Sequence, residues 1–438
     1  MSKTITSREQ ALSDTRWARL NVVGAAANIV VSINDMKSFP EKSKYFDALN
    51  ADLNHYANSN DICTPMGCVK DMVDSVPSDF WRKRRLRILD SSCGNGNFHA
   101  YISQKTKLEN LFFNDISHTR ITHVQKCFGK DANIIMKDFL KFPPGATYDM
   151  ILANPPYAAF TEKGKRASKN HNMSRAFIRK AMELVKPNGY LLFIAPDNWM
   201  SFSDRNTLPA EMSRGQFVKI NIHGAKKWFP GVGSSFTWFL WQNTPNRKAV
   251  EVENFYRSKE SKKLKLPKDA RFIPLFLSPE SVSLMKKTVM SETEKIPIET
   301  TSDLHRTTKS SLLSAKQTAK HKYRIIHTPT QTVWSSRPHK YQRGWKVFIS
   351  LTNKYGTFID RDCGMTQSIA FVRCATKQAA EALKAQLDSD VYWFINEVTR
   401  YGNFNNIRVL QSLPYLHDIS LTVREKRLVR KFAKEFRK

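Results

Sequence analysis

The sequence predicts an α/β fold with a mostly parallel sheet, followed by a C-terminal α+β region. Three observations predict it. Between residues 87 and 195, short apolar runs alternate with helical stretches, the pattern of strands joined by crossover helices. The first run, Arg87-Ile88-Leu89-Asp90, feeds directly into a glycine-containing turn, Ser91-Ser92-Cys93-Gly94-Asn95-Gly96. Over residues 300–345 the composition turns to Thr, Ser, His and Arg, with Trp334, Tyr341 and Trp345 interleaved.

The elements follow in order. Residues 1–60 are polar and irregular and read as an N-terminal extension. After the first strand come apolar runs at 111–115, 133–136 and 148–153. Residues 174–185 form an amphipathic helix with Phe177, Ile178, Ala181, Met182 and Val185 on one face, stopped by Pro187-Asn188-Gly189. A buried strand at 190–195 follows, and runs at 218–223 and 237–242 close the sheet. The charged stretch 257–268, with one proline, reads as a linker or exposed loop. Beyond it lie strands at 346–351 and 369–372, a helix at 377–387 and a basic terminal helix within 420–438. The expected division is 1–60, 61–247 and 248–438.

Composition excludes several classes. Hydrophobic residues make up 41% of the 438, with 27 Phe and 9 Trp, enough to build cores and exclude wholesale disorder. No run approaches the roughly 18 apolar residues of a membrane span. The N-terminus has no apolar core of the secretory kind, so an intracellular protein is expected, in the cytoplasm or with the genome. The six cysteines form no C-x-x-C pair and read as reduced thiols, with no metal expected. Lys plus Arg number 70 against 39 Asp plus Glu, a net charge of +31. Residues 151–250 carry +10 and 301–350 carry +9. Such an excess fits a polyanion, nucleic acid before an anionic membrane surface.

The strand ends carry the chemistry, because open α/β sheets bind ligands at the carboxyl edge of their strands. Gly94 and Gly96 let the backbone approach a ligand closely. The turn lacks the third glycine of the dinucleotide fingerprint, and no Gly-Lys-Ser/Thr of a triphosphate loop is present. Asp115 lies 19 residues after Gly96 at the next strand end, where a carboxylate accepts both ribose hydroxyls. Asp138, at the third strand end, suits the exocyclic amine of an adenine, and Phe139 suits its ring. Asn154-Pro155-Pro156-Tyr157 ends the fourth strand and is the most specific feature. The Asn154 side-chain oxygen and the Pro155 carbonyl are two acceptors for one NH2 group. Together they favour a pyramidal nitrogen with a localised lone pair, able to attack a methyl on sulfonium. Tyr157 offers a flat face for a planar substrate.

On these residues, 61–245 resembles the S-adenosylmethionine-dependent DNA adenine-N6 methyltransferases. The motif order is similar to their gamma group, with target recognition last. The resemblance implies a Rossmann-like methyltransferase domain and an enzyme acting on a flipped-out adenine in duplex DNA. It places Thr64, Pro65, Asp90, Cys93, Gly94 and Gly96 at the cofactor, with Thr64 a helix N-cap and Pro65 the first helical residue. It implies that Asp115 holds the ribose and Asp138 the adenine amine, with Phe139 beside it. Trp228-Phe229-Pro230-Gly231 matches the family's segment that stacks an aromatic on the extruded base, which makes Phe229 the partner of Tyr157.

The same turn suits any planar NH2, so an RNA adenine, and after it a protein glutamine, stand as alternatives. The basic C-terminal region favours duplex DNA. There Arg306, Lys309, Lys316, Lys320, Lys322, Arg324, Arg337, Lys340 and Arg343 share a stretch with one acid, Asp303. A monomer is expected, marking a genome with or without a separate restriction endonuclease in a restriction-modification system.

Overall fold

The computed structural model describes residues 30–51, 63–157, 173–229, 235–254, 258–352, 354–402 and 404–437. Most of the expected N-terminal extension, and Pro230 and Gly231 of the stacking segment, lie outside the described residues. Nine strands make up the α/β part: β1 (Ile88–Asp90), β2 (Leu111–Asn114), β3 (Asn133–Ile135), β4 (Tyr148–Ala153), β5 (Val185–Pro196), β6 (Gly215–Ile222), β7 (Phe236–Pro245), β8 (Val250–Asn254) and β9 (Glu260–Leu264). The chain divides into two compact units, the first built mainly from residues 1–195 and the second mainly from 245–438.

In the first unit the strand order is β3-β2-β1-β4-β5-β7. The pairs β1–β2, β1–β4, β2–β3 and β4–β5 are parallel. Near-continuous apolar runs explain this, because a parallel strand covered on both faces needs no polar side. Ile88, Leu89, Met150, Ile151, Leu152 and Leu191 are all fully buried. At roughly 1.5–3 kcal/mol per fully buried large apolar side chain, such strands supply much of the driving force. Helices α1 (Phe39–Ala51), α2 (Met66–Val73), α3 (Asn97–Ile102), α4 (His118–Phe128) and α5 (Met173–Leu184) belong to this unit.

Two local expectations are corrected here. The 174–185 helix appears as α5, but residues 187–189 lie inside β5, which begins at Val185. Asn188 takes φ 61°, and a Cβ on Gly189 would sit 2.8 Å from the Asp149 carbonyl oxygen. The Pro-Asn-Gly step is thus an irregularity that lets β5 press on β4. The second correction concerns Thr64 and Pro65. Helix α2 starts at Met66, with Pro65 rather than Thr64 as N-cap. Pro65 has no side-chain donor or acceptor, so Asp47 Oδ1 takes the Met66 N–H at 2.9 Å.

The second unit contains β6, β8 and β9, parallel between the first two and antiparallel between the last two. The sheet strands therefore run past residue 247, where the sequence placed a boundary, and part of the expected 257–268 loop is the edge strand β9. Its Lys-rich composition hides the strand, because Leu264 is the only buried residue in Glu260–Leu264. A four-stranded sheet, ordered β10-β12-β11-β15, uses β10 (Leu313–Ser314), β11 (Tyr323–Thr328), β12 (Gln331–Ser335) and β15 (Gly364–Met365). A three-stranded sheet pairs β13 (Trp345–Ser350) with β14 (Thr357–Arg361) and β16 (Ile369–Cys374). Both faces of β13 are buried: Val347 and Ile349 enter the main core, while Phe348 packs with Ile326, Met365 and Phe371. Helices α6 (Pro279–Lys287), α7 (Lys377–Leu387), α8 (Asp390–Val398) and α9 (Val423–Phe436) complete this unit. Among the described residues, no helix is long and apolar enough to cross a membrane.

Candidate active site

The carboxyl ends of β1, β2, β3 and β4 surround a cavity of about 430 Å³, wholly within the first unit. Its wall brings together Thr64, Cys93, Gly94, Asp115, Asp138 and Phe139. Asn154, Pro155, Pro156 and Tyr157 complete it.

The loop after β1 is built from its own backbone. The Cys93 N–H donates to the Asn114 carbonyl at 2.8 Å, and the Gly96 N–H to the Cys93 carbonyl at 2.8 Å. Gly94 and Gly96 have φ 52° and 89°, a left-handed region costly to residues with a Cβ. They differ in surroundings. A Cβ on Gly94 would meet nothing within 4 Å, whereas one on Gly96 would meet Phe128 Cε2 at 2.7 Å. Gly94 opens onto the cavity, while Gly96 buys close packing behind it.

Asp115 anchors this loop. Its Oδ2 accepts the Gly94 N–H at 3.0 Å and its Oδ1 the Ser117 N–H at 2.9 Å. Asp115 also lines the cavity. Asp138 is exposed and caps the next turn, accepting the Leu140 N–H at 3.0 Å. Phe139 is buried against Phe142 and Phe177, with ring centroids 5.3 and 5.1 Å away. Ile116, 75% exposed, stands at the cavity wall next to Asp115.

At the end of β4, Asn154 is held through its backbone, its carbonyl accepting the Ser92 hydroxyl at 3.3 Å. Its side-chain Oδ1 accepts the Tyr157 hydroxyl at 2.5 Å. Burial pushes the Tyr157 phenol well above its usual value, so it stays protonated and a donor. The acceptor that the sequence assigns to a substrate amine is thus covered by the tyrosine of its own turn.

Four expected residues stand outside the wall. Pro65 caps α2, and Gly96 packs on Phe128. Asp90 is 1% exposed; its Oδ1 accepts the Ser92 N–H at 3.3 Å, while Oδ2 has no hydrogen-bond partner among the described residues. Burial first, and then Asp115, raise its carboxyl well above the usual range. Phe229 is 4% exposed and buried rather than facing the cavity. Its neighbour Trp228 takes the outer position, lying over Gly67 and donating to Asp71 at 3.2 Å.

Other wall residues escaped sequence reasoning. Arg120 is buried and donates Nη1 to Asn95 Oδ1 at 2.9 Å. Asn97 donates to the Thr64 carbonyl at 2.9 Å, and Asn114 to the Ser91 carbonyl at 3.0 Å. These bonds join residues 23 to 33 apart in sequence, so no local spacing announces them. Asn114, beside Asp115 at a strand end, carried the nearest thing to a signal.

Residues 18–229 match the model of the Eco57I restriction-modification methylase family. The chain is 30% identical over 115 residues to the type II methyltransferase M.TthHB8I of Thermus thermophilus, covering 22% of this chain and 26% of that one. It is 32% identical over 108 residues to malonyl-[acyl-carrier protein] O-methyltransferase 2 of Ilyobacter polytropus, covering 24% and 38%. It is 22% identical over 201 residues to a Mycoplasma pneumoniae protein described as an uncharacterized adenine-specific methylase, covering 44% of each. The matches thus span between 26% and 44% of the length of these curated relatives. Among solved structures, the type IIG restriction endonuclease BpuSI aligns with 90% of this chain and 63% of its own at 14% identity and a TM-score of 0.43. The matched residues 18–229 hold both the glycine loop and the Asn-Pro-Pro-Tyr turn.

Proposed function

We propose that the chain is a site-specific DNA adenine-N6 methyltransferase that uses S-adenosylmethionine. The observation that carries this reading is the Asn154–Tyr157 turn in the same cavity wall as Gly94 and Asp115. The residues fit the cofactor. The cavity volume lies in the roughly 300–1,000 Å³ range of small-molecule sites. Gly94 leaves its wall open, Asp115 presents a carboxylate at the wall for ribose hydroxyls, and Ile116 and Phe139 give apolar surface beside Asp138. Cys63, Thr64 and Cys93 would line the remainder. When bound, S-adenosylmethionine supplies an electrophilic methyl group on a sulfonium.

The chain's own residues position and polarise the amine. Asn154 Oδ1 and the Pro155 carbonyl accept its two hydrogens and favour the pyramidal, nucleophilic nitrogen. The proton becomes acidic only as the new bond forms, so no strong base is required and electrostatic positioning dominates. Asn154 Oδ1 has two acceptor positions, of which the Tyr157 hydroxyl holds one, and release of that hydroxyl frees the tyrosine ring to stack on the base. An adenine in a duplex must first be extruded, at a cost of a few kcal/mol.

The second unit would choose the target. Two of the expected cations there have internal partners: Arg337 is paired with Asp303 at 2.7 Å and Arg324 with Asp360 at 2.6 Å. Phosphate contacts then fall to Arg306, Lys309, Lys316, Lys320, Lys322, Lys340 and Arg343, all exposed. The motif order supports a gamma-group assignment. A restriction-modification role beside a separate endonuclease, with the methyltransferase as a monomer, is part of the same proposal. The test is methylation of defined duplexes with labelled cofactor, followed by digestion to nucleosides. N6-methyladenine from duplex DNA is the expected product; label only in RNA or in glutamine overturns the reading.

A further inference from the structure

Two charged stretches take no part in the site above: the 257–268 run and the terminal helix. The structure joins them within the second unit. Lys431 Nζ of α9 lies 3.0 Å from Glu260 Oε1 of β9, and Lys262 Nζ lies 3.0 Å from Oε2 of the same carboxylate. One acid thus ties the edge strand to a helix 171 residues away.

Helix α9 spends its apolar face on the core. The Phe432 ring packs 5.4 Å from Phe276 and 5.1 Å from Phe394, and Val429 and Ala433 are buried beside it. Glu425 is buried too, bonded to Lys287 at 2.8 Å. The polar face is left with Lys426, Arg427, Arg430 and Lys434, all exposed and without an ion pair among the described residues. With Lys431 they line a shallow groove of about 480 Å³. The exposed acid of this helix, Glu435, stands beside Lys431.

Lys426, Arg430 and Lys434 repeat at i, i+4 and i+8, a spacing at which like charges destabilise a helix. A surface that faces a polyanion relieves this repulsion. At a rise of ~1.5 Å per residue the stripe is about 12 Å long. A duplex offers a phosphate about every 3.4 Å per strand, so the stripe can face about three of them.

We propose that α9 forms a phosphate-binding face for the backbone of a nucleic-acid duplex, additional to the 301–350 block. This rests on the DNA reading above. An anionic membrane fits poorly, because the apolar face a membrane-surface helix needs is already buried in the core.

The test is the salt dependence of binding to a short fluorescent duplex, using the full chain and the triple variant Lys426→Gln, Arg427→Gln, Arg430→Gln. At about 0.9 per phosphate contact, the slope of log K against log salt should fall by about 2–3 in magnitude, with affinity at low salt down on the order of 10-fold or more. The charge-keeping variant Lys426→Arg, Arg427→Lys, Arg430→Lys should retain the slope. Circular dichroism and cofactor affinity monitor folding. Should the triple variant fail to fold, Arg430→Gln alone should lower the slope by about 0.9. An unchanged slope, while the wild type still binds and methylates duplex, overturns this face and leaves the DNA reading standing. A wild type that binds no duplex overturns both. Loss of binding to phosphatidylserine vesicles with the duplex slope unchanged assigns the face to a membrane and overturns the proposal.

Discussion

Asn154 and Tyr157 hold each other in the structure, and that single bond separates two kinds of variant. Asn154→Ala removes an acceptor meant for the transition state and leaves the glycine loop intact. Methyl transfer should fall at least about 100-fold, on the scale of one preorganised hydrogen bond. Cofactor affinity, measured by calorimetry, should change little. Tyr157→Phe keeps the ring but removes the hydroxyl that covers Asn154 Oδ1. A typical hydrogen bond contributes about 0.5–1.5 kcal/mol, so uncovering the acceptor should leave turnover at least at the wild-type level and lower KM for DNA a few-fold. Tyr157→Ala loses the stacking surface as well and should weaken DNA binding by roughly 1–3 kcal/mol. If Phe and Ala at this position were equally damaging, the hydroxyl itself would be the working group.

The loop between β1 and α3 gives a contrast at the next scale. Gly94→Ala and Gly96→Ala both place a Cβ at positive φ, at a cost of roughly 1–2 kcal/mol each. Only at Gly96 does the new Cβ also strike a packed ring, Phe128. Gly96→Ala should therefore lower the melting temperature more, while Gly94→Ala should mainly weaken cofactor binding, since its Cβ points into the cavity space. Equal losses of stability would remove the distinction. In the second unit, Asp303 is tied to the segment just after β12 through Arg337. The Arg337 hydrogen bonds, working against burial, hold its carboxyl down to about 2 from 3.8. A carboxyl whose folded value is depressed stabilises above its unfolded value and loses that stability as pH falls through the folded one. The window here is from about pH 4 down to pH 2, and the loss is up to about 2 kcal/mol, less with solvent screening. Urea titrations across that window should show Asp303→Asn to be less stable than wild type near pH 5 and converging with it near pH 2.

For the whole molecule, the net charge of +31 sets the physics of encounter. Contacts to six to ten phosphates imply that duplex affinity falls roughly 10³–10⁵-fold between 50 and 200 mM salt. Fluorescence anisotropy at a series of salt concentrations checks this. A flat response would mean that the positive charge is spent inside the protein. Part of it is: Arg324, Arg337, Lys219 and Lys287 all have acidic partners.

What the sequence determined by itself was local. The parallel strands are legible because a strand buried on both faces reads as an unbroken apolar run. The helix at Lys377–Leu387 is legible because its period and its Thr376 cap lie within one segment. The glycine loop and the Asn-Pro-Pro-Tyr turn are legible because their backbone chemistry is set by neighbours in the chain. What only the tertiary structure decided depends on distant residues. The Arg120–Asn95 bond, the Asp47 cap on α2 and the burial of Phe229 fall in this class, as does the pairing of a lysine-rich run as β9. The reason is that a hydrogen bond between residues tens of positions apart leaves no periodicity in either segment. A polar edge strand likewise takes its form from the partner it pairs with, not from its own hydrophobicity.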